Sequence, residues 1–368
     1  MLALILAAAI DGDAAFKAGD FAAAQEAYLS AIKTNPNDAA AALGLSRLAV
    51  YANDFPDAQR WLDDLASIAP NDSHVAALRG AIALRTDPNI DRVGPHKGPA
   101  IVKFLQVDPL PMVDVRINGR DAHFLIDTGA PNIVLDASFA QSLGIVTTSA
   151  GQGTFAGGEH TATAKATVDR LQLGSWQISN VSATVLPLPP MMGADGILGA
   201  ALFAHFLTTL DYRNGQLILA DRSASDAFER DAAAHGDAVV PMWLVSDHFI
   251  FVQGRAGNGP LGLFNVDTGG TFGMQLTKAA LDAADITVDS AHPQTGFGGG
   301  GKVTSLPFKS SLTIGSYTVD NVDGEYFPNG DQYGIFPFTV TGTVSHQFFR
   351  QAAVTFDFAA MRMVIAKS

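Results

Sequence analysis

The chain of 368 residues contains no cysteine. This absence excludes disulfide bonds, a cysteine nucleophile and thiolate metal ligands. Basic residues are also few, because 23 Lys and Arg stand against 36 Asp and Glu and give a net charge of -13. Nucleic acids and anionic membranes are bound through basic patches, so neither is an expected partner. The nine histidines show no spacing typical of a zinc hydrolase, and we predict no metal site and no cofactor.

The first ten residues, MLALILAAAI, are apolar but too short to span a bilayer. They fit the core of a signal peptide, although the basic residues that usually precede such a core are missing. They also fit a packed helix, because the first predicted helix of the repeat described next overlaps them. Both interpretations stay open.

The N-terminal part contains an internal repeat of 34 residues. Segments 19–38 and 53–72 align at this shift, with Pro36 on Pro70 and Ala24 on Ala58. The pattern resembles tetratricopeptide repeats, in which small and aromatic residues interlock paired helices. A further helical stretch at 73–85 would close the array, as solenoids require. We predict an all-α array over residues 1–86, followed by a Pro- and Gly-rich linker over residues 87–99.

From about residue 100 apolar and polar residues alternate, which predicts strands. Two related halves follow one another in this region. The segment Asp127-Thr128-Gly129 recurs 140 residues later as Asp267-Thr268-Gly269. Further on, GILGAALFAHFLTTLDYRNGQLIL recurs 146 residues later as GTVSHQFFRQAAVTFDFAAMRMVI. We therefore predict two lobes built from one duplicated β unit, at residues 100–222 and 236–368.

Two Asp-Thr-Gly segments in tandem lobes resemble the pepsin-like and retropepsin-like aspartic proteases. The resemblance implies an all-β bilobed fold with pseudo-twofold symmetry, behind the helical array. In that family a hydrophobic-hydrophobic-Gly element crosses behind each Asp loop. Ile197-Leu198-Gly199 supplies this element in the first lobe, whereas Thr343-Val344-Ser345 stands in its place in the second. The substitution at Ser345 bears on the positioning of the second aspartate.

The resemblance implies that Asp127 and Asp267 are a catalytic pair. A lone buried carboxylate costs several kcal/mol, so each needs a partner. Two adjacent carboxyl groups retain one proton between them, and the aspartic-protease dyad is a known example of such a pair. The ionised group would activate a water molecule, and the protonated group would stabilise the developing oxyanion. The loop residues expected to support the pair are Thr128, Gly129, Thr268 and Gly269.

Two glycine-rich clusters, at residues 151–161 and 294–305, follow the two aspartates at similar distances. By resemblance they are flaps that close over an extended peptide and pair with its backbone. The alternative is that they are only surface loops. The substrate-binding candidates in these clusters are Phe155, Gly157, Gly158, Phe297, Gly298 and Gly299.

Other polar residues in apolar surroundings are interpreted as structural. Asp211 and Asp357 correspond to each other in the two halves, next to turn patterns, and we predict turn or cap roles for them. His123 and His205 lie in apolar segments, and we predict that they are core histidines with no part in catalysis.

The predicted function is that of an aspartic endopeptidase, a hydrolase of a peptide or protein substrate, with helical repeats that recruit a protein partner or the substrate. An alternative is a catalytically weak peptide-binding protein on the same bilobed fold. A scaffold whose repeats alone act is a further interpretation. Both aspartates are intact, which favours the enzyme. Bacterial-type relatives that combine such repeats and lobes are commonly exported, so a periplasmic or otherwise exported location is favoured, and a cytoplasmic one stays open.

Overall fold

A computed structural model describes residues 11–154, 160–298, 301–328 and 333–367. The chain forms two compact units. One contains the chain up to Thr86 together with Ile335–Val340, and the other contains Asp87–Gly334 and Thr341–Ser368. The apolar first ten residues lie outside the described residues, and so does the choice between a signal peptide and a packed helix for them.

The described part of the first unit contains α1 (Gly12–Lys17), α2 (Phe21–Thr34), α3 (Ala39–Tyr51), α4 (Phe55–Ile68) and α5 (Ser73–Thr86). The 34-residue repeat recurs in its caps, because Asp20 and Asp54 each accept a backbone N–H at the start of α2 and α4. Glycine allows the helices to approach: a Cβ on Gly12 or Gly44 would lie 2.6 or 2.2 Å from the ring of Tyr28. The predicted helical array is confirmed. No described helix is long and apolar enough to cross a membrane.

The second unit is rich in strands and consists of two lobes. The first lobe contains β1 (Arg92–Val93), β2 (Ala100–Gln106), β3 (Met112–Ile117), β4 (Arg120–Ile126), β5 (Ile133–Asp136), α6 (Ala137–Ser142), β6 (Thr147–Thr154), β7 (His160–Leu173), β8 (Trp176–Leu186), β9 (Gly196–Leu198), α7 (Ala200–Phe203), β10 (Leu207–Asp211) and β11 (Gln216–Ala220). The segment predicted as a linker contributes β1, which pairs with β8. A helix, α8 (Ser225–His235), connects the lobes.

The second lobe repeats this order of elements. It contains β12 (Ala238–Val245), β13 (Phe249–Ala256), β14 (Gly262–Val266), β15 (Met274–Leu276), α9 (Lys278–Ala283), β16 (Gln294–Gly298), β17 (Gly301–Ile314), β18 (Tyr317–Tyr326), β19 (Gly342–Val344), β20 (Ala353–Asp357) and β21 (Arg362–Ala366). The core of each lobe contains an edge-to-face aromatic pair. In the first lobe the rings of Trp176 and Phe206 are 4.8 Å apart, and in the second those of Tyr317 and Phe348 are 5.2 Å apart.

An antiparallel sheet in the order β2-β11-β10-β20-β21-β12 joins the two lobes. At its centre Thr209 of β10 faces Thr355 of β20, and their hydroxyl oxygens are 2.8 Å apart. These two residues correspond to each other at the 146-residue shift of the duplication. A pseudo-twofold axis therefore passes between them. The predicted fold, a helical array followed in the chain by a bilobed β unit, is confirmed.

The symmetric aspartates Asp211 and Asp357 both serve turns, as predicted. The Oδ1 of Asp211 accepts the N–H of Asn214, and the Oδ1 of Asp357 accepts that of Ala359. Both carboxylates are buried at the ends of the central strands β10 and β20.

The prediction that His123 is a core residue is wrong. Its side chain is 54% exposed, and its Nδ1 lies 2.9 Å from Asp114 on the neighbouring strand. Ala122 and Phe124 on either side point into the core, so the two-residue alternation of β4 turns His123 outward. The side chain of His205 is 36% exposed and reaches Asp91. The histidine that is fully buried is His346, which sequence reasoning did not single out.

Candidate active site

Both aspartates follow the last residue of a central strand in their lobe. In the first lobe β4 runs parallel to β9, and the N–H of Asp127 donates to the carbonyl of Leu198 at 3.0 Å. In the second lobe β14 runs parallel to β19, and the N–H of Asp267 donates to the carbonyl of Val344 at 3.0 Å. β5 and β15 return antiparallel to the same crossing strands. The two loops therefore have the same construction, as the duplication predicts.

The two loops are tied to each other by their threonines. The N–H of Thr128 donates to Oγ1 of Thr268, and the N–H of Thr268 donates to Oγ1 of Thr128, both at 3.0 Å. Each hydroxyl in turn donates to a carbonyl of the opposite strand, at 2.9 Å for Val266 and 3.5 Å for Ile126. Both threonines are buried. Because the bonds are reciprocal, neither loop can shift without breaking the bonds of the other.

The glycines that follow the threonines bring the two carboxyl groups together. The N–H of Gly129 donates to Oδ1 of Asp127 at 2.7 Å, and that of Gly269 to Oδ1 of Asp267 at 2.9 Å. A Cβ on Gly129 would lie 2.4 Å from Cγ of Asp267, and one on Gly269 would lie 2.2 Å from Cγ of Asp127. Each carboxyl group therefore lies against the glycine of the opposite loop, where no larger residue fits.

The carboxyl groups of Asp127 and Asp267 interact with each other, and this interaction favours the protonated form of Asp127. Burial, the negative charge of Asp267 and a hydrogen bond to its side chain raise the pKa of Asp127 well above its ordinary value. Backbone N–H groups of Gly129 and Ala130 oppose this rise without cancelling it. Taken as whole residues, both aspartates are half-buried.

The serine at the crossing element of the second lobe has a defined role in the loop. In the first lobe a Cβ on the equivalent Gly199 would lie 2.3 Å from the carbonyl oxygen of Pro131. The second loop is one residue longer between its aspartate and Leu276 than the first loop is between its aspartate and the matching Leu135, which leaves room for a side chain. The Ser345 hydroxyl occupies that room, 2.7 Å from the carbonyl oxygen of Gly270 and 2.5 Å from that of Asp267. The departure from the family pattern thus ties the Asp267 loop to the strand behind it.

Two further side chains support the aspartate loops, and sequence reasoning missed both. Nδ1 of His346 lies 2.8 Å from the carbonyl oxygen of Gly270. Asp91 is buried, accepts Nδ2 of Asn132 at 2.6 Å, and thereby holds the loop that follows Asp127. Asp91 lies in a segment whose composition predicts only a linker. His346 directly follows the crossing element, and that position was its one signal in the sequence.

A β-hairpin stands at each of the two predicted flaps. β6 pairs with β7, and β16 pairs with β17. Phe297 and Gly298 end β16, opposite Lys302 and Gly301. Their role in binding substrate stays a prediction. The remaining flap candidates lie outside the described residues: Phe155, Gly157, Gly158 and Gly299.

Two recesses in the surface of the first lobe, with volumes of about 530 and 490 Å³, lie away from the aspartates. The first is lined by residues such as Asn118 and Asp169, and the second by residues such as Gln141 and Thr147. Among the described residues, no group of three His, Asp or Glu side chains could hold a metal ion. The paired carboxyl groups of Asp127 and Asp267 are the candidate reactive groups of this unit.

Comparison with known proteins agrees with this geometry. Residues 113–202 match the aspartyl protease family. This aspartyl protease segment contains Asp127 and the crossing element that ends at Gly199. Residues 15–82 match the tetratricopeptide repeat family. The predicted resemblance to both families is confirmed.

Solved structures also match this chain. One of them is a crystal structure of the aspartic proteinase from Irpex lacteus, with 14% sequence identity and a TM-score of 0.48. The match covers 73% of this chain and 97% of that one. No curated protein sequence matches the chain.

Proposed function

We propose that the bilobed unit is an aspartic endopeptidase in which Asp127 and Asp267 are the catalytic residues. The observation that carries the proposal is the hydrogen-bonded carboxyl pair, held on the pseudo-twofold axis by the reciprocal bonds of Thr128 and Thr268. A structural role alone does not require two carboxyl groups in contact, because such a pair costs free energy unless one group keeps a proton.

The proposed reaction uses the pair as both base and acid. The ionised carboxylate takes a proton from a water molecule, whose oxygen attacks the carbonyl carbon of the scissile peptide bond. The protonated carboxyl group donates a hydrogen bond to the carbonyl oxygen, where negative charge develops. As the tetrahedral intermediate collapses, the C–N bond breaks and the leaving nitrogen takes a proton from the pair. Asp127 and Asp267 exchange the roles of base and acid during the cycle.

The two hairpins are the proposed covers of the substrate. β6–β7 and β16–β17 occur at equivalent places in the two lobes, so a bound peptide would be covered from both sides. An extended peptide can add its backbone to such strands, with alternate side chains entering pockets. We propose that the substrate is an extended stretch of a peptide or protein, and that the helical repeats dock a protein partner.

The alternative, a catalytically weak peptide-binding protein, is favoured by the departure from the family pattern at Ser345. The geometry of Ser345 supports the enzyme instead, because its hydroxyl lies within hydrogen-bonding distance of the carbonyl oxygens of Gly270 and Asp267 and so supports the loop. A peptide-binding protein without catalysis is one of the outcomes that the following test distinguishes.

The test is cleavage of a peptide library by the wild type, with and without pepstatin, and by Asp127→Asn and Asp267→Asn. Each substitution removes a group that takes part in proton transfer, which is worth about 10²- to 10⁴-fold in rate. Asp114→Asn is the matched control, because Asp114 is exposed and contacts His123. Near-wild-type turnover in either dyad variant would rule out the shared-proton mechanism. A wild type that binds peptides without cleaving any would support the binding protein.

A further inference from the structure

A short segment far from the repeats in sequence belongs to the helical unit. Ile335–Val340 lies between β18 and β19 in the chain, yet it groups with the helices. Its Phe338 side chain is 6% exposed. Three aromatic residues surround it, and we name them the aromatic pocket: Phe16, Phe21 and Tyr51.

Phe338 makes edge-to-face contacts with the whole aromatic pocket. Its ring centroid lies 6.0 Å from that of Phe16, 5.0 Å from that of Phe21 and 6.3 Å from that of Tyr51. The interplanar angles of 73–85° are those that aromatic quadrupoles favour. The pocket is formed where α1 ends, α2 begins and α3 ends, so both repeats contribute to it.

The backbone of the segment also contacts the helices. The N–H of Thr339 donates to the carbonyl of Lys17 at 2.7 Å, which supplies a donor to the last residue of α1. Side chains alternate along the segment, because Phe338 and Val340 are buried whereas Pro337 and Thr339 are exposed. Alternating burial, a central aromatic anchor and a backbone hydrogen bond are features of a peptide bound to a recognition domain.

We propose that the aromatic pocket is a docking site for a peptide segment that carries phenylalanine, and that Ile335–Val340 is its resident occupant. A partner segment of the same chemistry then binds only by displacing the resident one. Covalent linkage favours the resident, because it is present at an effective concentration of about millimolar. The partner therefore needs either a higher affinity or a resident segment that has been weakened.

Displacement would reach the second aspartate through the chain itself. Thr341 follows the segment, and β19 begins at the next residue. β19 carries the carbonyl of Val344 that accepts the N–H of Asp267, and Ser345 follows it. Release of the segment would free the connection that leads into this strand. This consequence for cleavage rests on the proposed function, whereas the docking itself does not.

The test measures binding of a labelled synthetic peptide with the sequence of residues 334–341, GIFPFTVT, to the full chain by fluorescence anisotropy. Phe338→Ala empties the pocket, and we expect this variant to bind the peptide at least about tenfold more tightly than the wild type, whose pocket is occupied. Ile335→Ala is the matched control, because Ile335 is 69% exposed in the same segment. It should bind as weakly as the wild type. A peptide with alanine in place of its second phenylalanine should bind none of the proteins.

Hydrogen exchange gives a second measurement on the same variants. The amides of α1 should lose protection in Phe338→Ala and regain it when the peptide is added. Equal affinity of wild type and Phe338→Ala for the peptide, or unchanged protection of α1, would overturn the proposal. If Phe338→Ala does not fold, Phe338→Leu is judged by the same two criteria. No cleavage is measured, so the outcome is independent of whether the dyad is catalytic.

Discussion

The protonation of Asp127 should make the stability of the fold depend on pH. Burial and the nearby Asp267 carboxylate raise its pKa in the folded protein. An unfolded aspartate loses its proton at about pH 3.9. The folded protein therefore binds more protons than the unfolded chain above that pH. The stability that this proton contributes is fully present below the unfolded pKa and is lost as pH rises through the folded pKa.

Asp127→Asn should remove this pH dependence, because an amide does not titrate. We expect the free energy of unfolding of the wild type to decline from about pH 4 towards neutrality, and that of the variant to decline less. Denaturant unfolding at several pH values in this range measures both slopes. Asp114→Asn should keep the wild-type slope. Identical slopes for the wild type and Asp127→Asn would mean that the proton is not held at this pair.

The Thr128 hydroxyl forms hydrogen bonds that a substitution of similar shape can remove. Thr128→Val loses the hydroxyl that accepts the N–H of Thr268 and donates to Val266, and both partners stay buried. We expect a loss of about 2–4 kcal/mol in unfolding free energy, since each unpaired buried group costs about 1–3 kcal/mol. Turnover should fall as well. Thr128→Ser keeps the hydroxyl and should stay close to the wild type in urea unfolding and in peptide cleavage. A stable Thr128→Val would contradict the importance of the reciprocal bonds.

The contrast between His123 and His346 shows what residue patterns can and cannot predict. The period-two alternation of β4 predicts that His123 points outward. The prediction that His123 lies in the core was wrong because it was based on the apolar neighbours and not on this period. His346 gave no comparable signal. Its burial depends on the packing of the short helical turn after β19, which the local sequence does not encode.

At the scale of elements, β9 and β19 are crossing strands with different residues at the same place. A side chain at Gly199 meets three carbonyl oxygens within 2.6 Å, whereas Ser345 fits and forms hydrogen bonds. The resemblance to the aspartic proteases implied a crossing element at both places. It could not predict the fit of Ser345, because that depends on the path of a loop that is longer by one residue.

The two positions should therefore respond in opposite ways to exchange. Gly199→Ser should destabilise the fold by several kcal/mol, on the order of other strained or overpacked core changes. Ser345→Gly should cost only about 1–2 kcal/mol for the lost hydrogen bond. It should also lower kcat with little change in KM, since it loosens the loop of Asp267. Thermal unfolding and steady-state cleavage distinguish the two variants. Equal destabilisation would show that the two loops have the same space behind them.

At the scale of the whole molecule, the duplication could be predicted from the sequence. Several motifs of the first half recur in the second half at shifts of 140 and 146 residues. Tandem copies of a β unit with matching loops leave few arrangements other than a bilobed fold. The contact of Phe338 with the helices could not be predicted from the sequence. Phe16 and Phe338 are distant in the sequence, and a single aromatic contact between distant segments leaves no periodic pattern.

The centre of the interlobe sheet allows a double-mutant cycle on Thr209 and Thr355. Thr209→Val or Thr355→Val alone leaves one hydroxyl without its partner in a largely buried place, at a cost of about 1–2 kcal/mol. The double variant leaves no hydroxyl unpaired at this contact, so its unfolding free energy should return close to that of the wild type. Denaturant unfolding of all four proteins gives the coupling energy. Additive losses in the double variant would mean that the two hydroxyl groups do not interact in solution.

Each half of the interlobe sheet comes from one lobe: β2, β11 and β10 from the first, and β20, β21 and β12 from the second. The halves meet where β10 pairs with β20, and α8 (Ser225–His235) is the covalent connection between them. A chain opened within the later turns of α8 would keep every strand pairing that the structure describes. Two separately expressed polypeptides, divided there, should thus assemble into a working heterodimer. By the same arrangement, two identical copies of one lobe could pair as a symmetric dimer in which each subunit contributes one aspartate.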